Sequence, residues 1–273
     1  MICKTNWNKS LIIILCIIYT VILSPLPNVY AEDTSKKEKA EKITLPKNIL
    51  NIQKENTFNN VGEDTELLEP SKATKSLLKD SNMKVNNPDV IKMLNESSIQ
   101  PSPISIGYRA SIYLGRWPLN YESNKTSITW DYEEINNNKL NNDKGEETQQ
   151  LNYQQKEEKK VHGMLTNKVD DAAMIKKMIL EKTKQKTKLP LAFTTTVGAE
   201  TKLEHFYDVP EQKTGVLQAF VPAVNETGNV IYGEVYINLK GSTKKLEIKN
   251  VTKQEVGAWI PIQNHASFSF QTK

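Results

Sequence analysis

The sequence predicts an α+β protein in which an antiparallel β-sheet meander is covered by one or two helices. Two observations support this class. Residues 104–117 alternate between apolar and polar side chains, which is typical of a long, half-buried strand. From residue 191 onward, strand-like segments follow one another at near-regular spacing, with no helical segment between them. A sheet with one apolar face needs a cover, and amphipathic helices elsewhere in the chain can provide it.

Residues 1–31 have the pattern of a signal peptide. Lys4 and Lys9 form a positive start, and residues 11–24 form an apolar run that is shorter than the about 20 residues of a membrane span. Ala31 supplies a small residue at the end of the segment, where cleavage is expected. The alternative is an uncleaved N-terminal anchor. Either way, we expect a secreted or cell-envelope protein outside the cytoplasm.

The composition narrows the class of protein further. Both cysteines, Cys3 and Cys16, lie in the predicted signal peptide, so the mature chain would have no disulfide, thiol nucleophile or cysteine metal site. The full chain has 36 basic and 32 acidic side chains, and loss of the two signal lysines leaves a net charge of about +2. This is too small for a nucleic-acid footprint. We expect contact with a membrane only through an uncleaved signal segment.

The mature chain is expected to consist of a polar lead-in and one domain. Residues 32–60 form the predicted tether or extended arm, because residues 32–42 contain no apolar residue except alanine and cannot bury enough surface to fold. Residues 43–50 could form an edge strand at its end. Residues 61–273 are predicted to form a single α+β domain.

Three segments have helix signals. Residues 71–80 predict a short helix, and Asn87 followed by Pro88 predicts the start of a second one, since asparagine caps a helix and proline fits its first turn. The clearest helix spans residues 170–188, where an aspartate begins the segment and an apolar stripe recurs at helical spacing. That stripe consists of Met174, Ile175, Met178 and Ile179.

Proline and turn residues divide the rest of the chain into strands. Pro118 is expected to end the first strand, because proline donates no ladder hydrogen bond. A second strand is expected at 127–135, followed by a loop at 136–147, and residues 148–165 could form a third strand or a helix. Residues 225–229 (NETGN) are expected to form a hairpin loop. The other expected strands cover residues 191–198, 216–224, 230–240, 245–251, 258–262 and 267–271.

Seven blocks of the sequence are distinctive enough to compare with a known family. They are NPDVIKMLNESSI (87–99), IGYRASIYLGRW (106–117), LPLAF (189–193), PAVNE (222–226), YGEVY (232–236), KNVT (249–252) and GAWIP (257–261). Together they resemble the YfkD-like proteins, which are exported proteins of Bacillus and its relatives. The resemblance runs from about residue 43 to near the C-terminus. It implies an exported envelope protein of a Gram-positive bacterium, and it carries over no catalytic or cofactor-binding residue.

The first predicted strand contains the only two arginines of the chain, Arg109 and Arg116, whereas the other basic residues are lysines. Arginine supplies a planar, bidentate fork and a stacking surface that lysine lacks. One interpretation is structural, namely a partly buried ion pair with a carboxylate such as Asp131 or Glu134 and stacking on an aromatic ring such as Trp117. The other interpretation is a seat for an anion or another ligand.

The alternation of this strand predicts a β-bulge at Gly115. Without a bulge, Arg116 would enter the apolar face and Trp117 would leave it. A bulge exchanges the two residues, so that Arg116 shares a face with Arg109 and Trp117 becomes buried. We therefore predict that regular pairing is interrupted within residues 114–117.

Two carboxylates of the second predicted strand, Asp131 and Glu133, suggest a different kind of site. They share a strand face with aromatic residues nearby, and paired carboxylates can hydrolyse a glycosidic bond. A general acid needs surroundings that keep it protonated, however, and the neighbouring sequence offers none. The residues that we propose as a ligand-binding or structural ion-pair cluster are Arg109, Arg116, Trp117, Trp130, Asp131 and Glu133.

No other motif indicates catalysis. The three histidines lack the spacing of a metal pair, and serine-hydrolase, phosphate-loop and dinucleotide motifs are missing. We therefore expect no metal and no cofactor. The predicted function is that of a non-enzymatic envelope protein that binds cell-wall polymer or another envelope protein. The alternative is a glycan-directed hydrolase or carbohydrate-binding protein that uses Asp131 and Glu133.

Overall fold

The computed structural model describes most of the chain after the predicted tether, within the compact unit that spans residues 40–273. The predicted signal peptide at 1–31 and most of the tether at 32–60 lie outside the described residues. Within the described part of the chain, no helix is long and apolar enough to span a membrane. The described residues are 43–52, 69–102, 104 and 107–273.

Three helices and ten strands form in this described part. The helices are α1 (Lys72–Lys79), α2 (Pro88–Glu96) and α3 (Ala172–Thr187). The strands are β1 (Ile49–Asn51), β2 (Arg109–Asn141), β3 (Gln149–Gln154), β4 (Lys159–His162), β5 (Met164–Leu165), β6 (Thr194–Val197), β7 (Lys202–Val209), β8 (Thr214–Lys240), β9 (Thr243–Pro261) and β10 (His265–Thr272).

All strand pairs in the described residues are antiparallel, and this composition of sheet and helices is consistent with the α+β class. The large sheet has the order β1-β10-β8-β9-β5, and β2 pairs along the other side of β8. Two smaller sheets are formed by β3 with β7 and by β4 with β6. In the large sheet, only β8 and β9 are neighbours both along the chain and in space. The structure therefore does not confirm a simple meander.

β8 is the central strand, and three apolar clusters lie along it. Near its start, Leu217 and Val221 pack with β3, β7 and β10. In its middle, Val224 and Val230 pack beneath α3, and near its end Ile237 packs against α1 and α2. The β8 residues named in the first and last clusters have odd numbers, and those named in the middle cluster have even numbers. Because alternate residues of a strand lie on opposite faces, α3 covers the face opposite to the one covered by α1 and α2.

The predicted helices are confirmed, with one difference at a cap. The Ser71 hydroxyl accepts a hydrogen bond from the backbone N–H of Thr74 (3.2 Å), and Asn87 Oδ1 accepts one from the N–H of Asp89 (2.9 Å). These bonds satisfy donors that the first turn of a helix leaves free. The expected aspartate cap of α3 is wrong, since Asp171 has a left-handed φ of 54° and forms no side-chain capping bond.

The predicted hairpin loop at 225–229 is wrong, because β8 continues through it. These residues pair with β2 on one side and with β9 on the other, and Glu226 lies opposite Thr126. Pairing on both sides overrides the local turn preference of the sequence. The glycine at 228 is required by lack of space instead of by a turn, since a Cβ at this position would lie 2.5 Å from the hydroxyl oxygen of Tyr121.

The expected strand end at Pro118 is also wrong, because β2 is 33 residues long and continues past Pro118 to Asn141. β2 is an edge strand, where a proline is tolerated. The start of α2 covers the edge at this point: Asn87 donates from its backbone N–H to the carbonyl oxygen of Leu119 (3.1 Å) and from Nδ2 to that of Pro118 (2.6 Å). Five register shifts along the β2–β8 pairing also make this long edge irregular.

The polar stretch at 136–147 is a loop only in part, since β2 extends to Asn141. Its asparagines have partners inside the fold: Asn136 and Asn138 both donate from Nδ2 to the carbonyl oxygen of Gln154 (2.5 and 2.9 Å). A polar sequence that predicts a loop is therefore held in a strand by side chain–backbone bonds.

Several other boundaries differ from the prediction. No helix forms at 148–165, which is divided among β3, β4 and β5, and β7 is an additional strand. The strand expected at 127–135 belongs to β2, and the strands expected between residues 216 and 262 merge into β8 and β9, whereas the strand expected at 267–271 forms as β10. At the start of the described chain, β1 pairs with β10 and Ile52 is fully buried, so this part of the predicted arm is fixed to the sheet.

Candidate functional site

The six residues predicted to form one cluster lie in two separate groups. The first group pairs with the end of β8, where Arg116 lies opposite Glu234, and the second pairs near its start, where Glu133 lies opposite Val221. These positions are 13 residues apart on β8, and at about 3.3 Å per residue the strand between them is on the order of 40 Å long. The first group is Arg109, Arg116 and Trp117, and the second is Trp130, Asp131 and Glu133.

The predicted β-bulge is confirmed. Between Tyr113 and Arg116, the pairing of β2 with β8 shifts by one residue. Gly115 has a φ of +107°, and a Cβ there would lie 3.0 Å from Nε1 of Trp117. The bulge places Arg116 on the same face as Tyr113, and it turns Trp117 toward the apolar cluster beneath α1 and α2, where its Nε1 donates to the carbonyl oxygen of Leu114 (2.8 Å).

Arg116 is held by contacts within the molecule. Its Nη1 donates to the carbonyl oxygen of Asn250 (3.1 Å), and its Nη2 donates to the hydroxyl of Thr252 (2.5 Å). The guanidinium carbon lies 5.7 Å from the ring centroid of Tyr232. The fork and the stacking surface are both used, which explains why this position is arginine instead of lysine. Its partners are a carbonyl, a hydroxyl and a tyrosine ring, and Asp131 is not among them.

The second group is arranged as a surface ion pair beside a packed ring. Asp131 is exposed and lies in an irregular part of β2, between the register positions of Thr129 and Glu133. Glu133 Oε1 lies 3.3 Å from Nζ of Lys159. Trp130 is partly buried against the apolar cluster beneath α3. Glu133 is thus paired with Lys159, and among the described contacts none links the carboxylates of Asp131 and Glu133.

One face of β2, β8 and β9 concentrates positive charge, and we call it the basic face. It lies opposite to the face that α1 and α2 cover, and most of its side chains are partly or fully exposed. Five of its side chains are cationic and two are carboxylates, whereas basic and acidic residues are nearly balanced over the whole chain. Its members are Arg109, Ser111, Tyr113 and Arg116 of β2, Glu234, Tyr236, Asn238 and Lys240 of β8, and Thr243, Lys245, Glu247 and Lys249 of β9.

The half of the basic face next to the bulge is an internally satisfied network. The Tyr236 hydroxyl donates to Glu234 Oε2 (2.9 Å), which also accepts from Nδ2 of Asn250 (2.9 Å). Lys249 Nζ lies 3.2 Å from Glu247 Oε2 and 5.0 Å from the ring centroid of Tyr236. The bond to Glu234 raises the pKa of Tyr236, because it favours the protonated hydroxyl. These charges are therefore used inside the protein.

The other half of the basic face, which we call the open corner, consists of Arg109, Lys240 and Lys245. Arg109 lies directly opposite Lys240, and Lys245 lies opposite Asn238, which places it diagonal to Lys240. Opposite Cβ atoms are about 4.5–5.5 Å apart and diagonal ones about 7–8 Å. Among the residues that the structure describes, these three side chains have no hydrogen-bond, carboxylate or ring partner. Positive charge that is not balanced inside the protein is therefore concentrated at this end of the sheet.

A second polar cluster, which sequence reasoning missed, lies buried beneath α3. Glu226 is fully buried, and its carboxylate oxygens accept hydrogen bonds from the hydroxyls of Tyr121 (3.2 Å) and Thr126 (2.5 Å). Burial, followed by the nearby charge of Glu226, raises the pKa of Tyr121, so its hydroxyl remains a donor. Both carboxylate oxygens are thus satisfied by hydroxyl groups, as a buried polar group requires.

A narrow cleft beside α3 reaches Tyr121 from the surface. Glu181 lines it, and burial raises the pKa of this carboxyl, with a smaller opposing effect from the hydrogen bond that Gln185 donates to it (3.0 Å). The cleft has a volume of about 40 Å³, which accommodates a few water molecules but no sugar ring. In the described residues, no group of three or more His, Cys, Asp or Glu side chains is placed to hold a metal ion.

The residues that sequence reasoning missed are those that need a distant partner to be recognised. Lys240 and Lys245 flank a predicted turn, so strand alternation could have placed both on one face. Their position next to Arg109 depends on the pairing of β2 with β8, in which Arg109 lies opposite a residue 131 positions away. Glu226 lies in the segment that the sequence predicts as a hairpin loop, and no local pattern indicates that its side chain is buried.

The fold defines a β-rich α+β protein whose distinctive surface is an exposed sheet face instead of a deep pocket. Residues 46–273 match the family model described as YfkD-like protein, and the chain belongs to the YfkD-like family. This confirms the family resemblance of the sequence. The chain is 50% identical over 227 residues to the "Uncharacterized protein YfkD" of Bacillus subtilis (strain 168), a match that covers 83% of this chain and 86% of that protein. Among solved structures, a lamprey immune protein matches 62% of this chain and 55% of its own, at a TM-score of 0.26 and 11% identity.

Proposed function

We propose that this protein is an exported cell-envelope protein that binds an anionic polymer of the cell wall through its basic face. The main support is the charge of that face, which carries five cationic side chains, two carboxylates and the exposed ring of Tyr113. A polyanion is the complementary partner of such a surface. The signal-peptide pattern of residues 1–31 supports a location in which wall polymer is accessible.

The contacts of the charged groups favour binding over catalysis. A glycoside hydrolase of the usual kind needs two carboxyl groups about 5–10 Å apart, on either side of the scissile bond. In this protein, Glu133 is paired with Lys159 and Asp131 is exposed. The hydrolase alternative therefore has no matched acid and base to support it.

Sedimentation with purified Gram-positive cell walls tests the proposal. The protein is exported from a Bacillus host and purified from the medium, as wild type, as Lys245→Glu and as Asp131→Asn. We expect the wild type and Asp131→Asn to sediment with the walls, and Lys245→Glu to be retained less, because it reverses a charge of the basic face. Added salt should release the bound protein, since exposed charges are screened.

Three outcomes would overturn the proposal. The first is that the wild type does not sediment with walls. The second is that it binds only vesicles of anionic lipid. The third is that sugar fragments are released from the walls and that this release is lost in Asp131→Asn, which would establish the hydrolase instead.

A further inference from the structure

We infer that the open corner is a phosphate-binding subsite, in which Arg109, Lys240 and Lys245 together bind one phosphate group of a phosphodiester-linked polymer. This inference rests on the proposed function and names the chemistry of its ligand. The remaining half of the basic face then acts as a rigid platform beside the subsite.

The first argument is the difference between the two arginines of the chain. The chain contains 36 basic residues, of which only Arg109 and Arg116 are arginines. Arg116 uses its fork on Asn250 and Thr252 and stacks on a ring, so contacts inside the protein account for it. Arg109 has no acceptor and no ring among the described residues. A solvated cation at this position needs only lysine, whereas a bidentate anion contact needs arginine.

The second argument is the repulsion that is built into the sheet. Arg109 and Lys240 are directly opposite in the β2–β8 pairing, and Lys245 is diagonal to Lys240. Like charges in opposite positions of a sheet destabilise it. The other half of the same face relieves such repulsion with Glu234 and Glu247, but the open corner contains no carboxylate. A bound anion would supply the missing negative charge.

The third argument concerns the shape of the anion. A carboxylate has two oxygens in one plane, and a single arginine fork can satisfy both. The open corner offers one fork and two ammonium groups from three adjacent strands, which approach a ligand from different directions. A tetrahedral phosphate can present its oxygens to all three donors at once. Beside the corner, the Ser111 hydroxyl and the half-exposed ring of Tyr113 face the polar linker that joins one phosphate to the next.

Titration calorimetry with soluble polymers tests the inference. The probe is poly(glycerol phosphate), and the comparison polymer is polyglutamate at the same charge concentration. We expect the wild type to bind poly(glycerol phosphate) at least several-fold more tightly than polyglutamate. Arg109→Lys should weaken binding of the phosphate polymer by about fivefold, because it keeps the charge and removes the fork. The double variant Lys240→Gln/Lys245→Gln should weaken it by about tenfold or more.

Two variants serve as matched controls. Arg116→Lys changes the other arginine of the same face, and Lys202→Gln removes an exposed lysine of β7, in a different sheet. Lys202→Gln should bind the phosphate polymer within about twofold of the wild type, and Arg116→Lys, which keeps its charge on the basic face, should lose less affinity than Arg109→Lys. Equal losses in Arg109→Lys and Arg116→Lys would overturn the inference, because the fork of Arg109 would then have no special role.

The remaining outcomes separate this inference from the proposed function. Equal affinity for polyglutamate and poly(glycerol phosphate) would overturn the phosphate subsite, while retention on walls would leave the proposed function in place. Binding of the phosphate polymer that depends on the open corner, without any retention on intact walls, would support the subsite and overturn the proposed function. Binding to phosphatidylglycerol vesicles but not to the soluble polymer would overturn the inference, because a lipid headgroup would then be the source of the phosphate.

Discussion

On one face of the sheet formed by β2, β8 and β9, charged side chains are found in two opposite environments, one buried and one exposed. Beneath α3, the carboxylate of Glu226 is fully buried and accepts hydrogen bonds from Tyr121 and Thr126. At the open corner of the same face, Arg109 and Lys240 are opposite each other and have no internal partner. A charge that is removed from water must be satisfied inside the protein, or it destabilises the fold. An exposed charge has no such requirement and remains available to a ligand.

Loss of a donor beneath α3 should have the largest effect on stability. Tyr121→Phe would leave one oxygen of Glu226 buried without a hydrogen bond, and we expect the free energy of unfolding to fall by about 2–3 kcal/mol. Chemical denaturation measures this change. Tyr113→Phe is the matched control, since Tyr113 is 54% exposed and its change should stay within about 0.5 kcal/mol. Equal losses in the two variants would contradict the comparison.

The buried tyrosines should also make stability sensitive to alkaline pH. Burial raises the pKa of Tyr121 and Tyr153 in the folded protein above the ordinary value of 10.0. The unfolded chain therefore releases these protons first, so their contribution is fully present below pH 10 and is lost as the pH rises above it. We expect the free energy of unfolding to fall steadily above pH 10, and to fall less steeply in Tyr121→Phe. An identical slope in this variant would show that Tyr121 does not contribute.

The bulge that aligns the two arginines should be the next most sensitive position. Gly115→Ala would place a side chain at a φ of +107° and against the indole of Trp117, and we expect a loss of about 2 kcal/mol. Gly241→Ala is the control, because Gly241 has an ordinary left-handed φ of 56° with nothing within 4 Å of the added Cβ, and it should lose about 1 kcal/mol. Thermal or chemical denaturation of both variants gives the difference, and a larger loss in the control would contradict it.

Replacement of each arginine by lysine should affect the free energy of unfolding to a different extent. Arg116→Lys removes two hydrogen bonds and a ring contact, and we expect it to lose about 0.5–1 kcal/mol of stability. Arg109→Lys should change stability by less than about 0.3 kcal/mol, because no internal contact is lost. A loss in Arg109→Lys as large as that in Arg116→Lys would show that Arg109 also has a structural role.

Relief of the repulsion at the open corner should have the smallest effect on the free energy of unfolding, and it should raise this free energy where the other substitutions lower it. Lys240→Gln removes the like charge opposite Arg109, and we expect it to stabilise the protein by a few tenths of a kcal/mol at low salt. High salt should remove this difference, since it screens exposed charges. Lys249→Gln is the control and should stabilise nothing, because Lys249 is paired with Glu247. A destabilised Lys240→Gln would contradict the repulsion.

The candidate site could be predicted only in part from the sequence. The rarity of arginine singled out Arg109 and Arg116, and the alternation of the strand located the bulge between them. The expected carboxylate partners were not found, because Asp131 and Glu134 lie far along β2 from both arginines. The spacing of residues along one strand can be predicted from the sequence. The strand that lies opposite is set by pairing between distant parts of the chain, so the local sequence does not identify it.

The sequence by itself determined the features that depend on neighbouring residues. Capping by Asn87, the helices at 71–80 and 170–188 and the bulge at Gly115 all follow from contacts within a few positions of the chain, so a local pattern predicts them. Family membership likewise follows from the sequence.

Only the tertiary structure decided which strands are neighbours and which charges have partners. Pro118 and the loop-like residues 225–229 remain within strands because pairing with β8, β2 and β9 outweighs their local preferences. The same pairing buries Glu226 beneath α3 and places Lys240 opposite Arg109. The contacts of β2 with β8 at these positions join residues about 100 or more positions apart. The free energy of the sheet comes from burial and ladder bonds that form only when the whole sheet assembles.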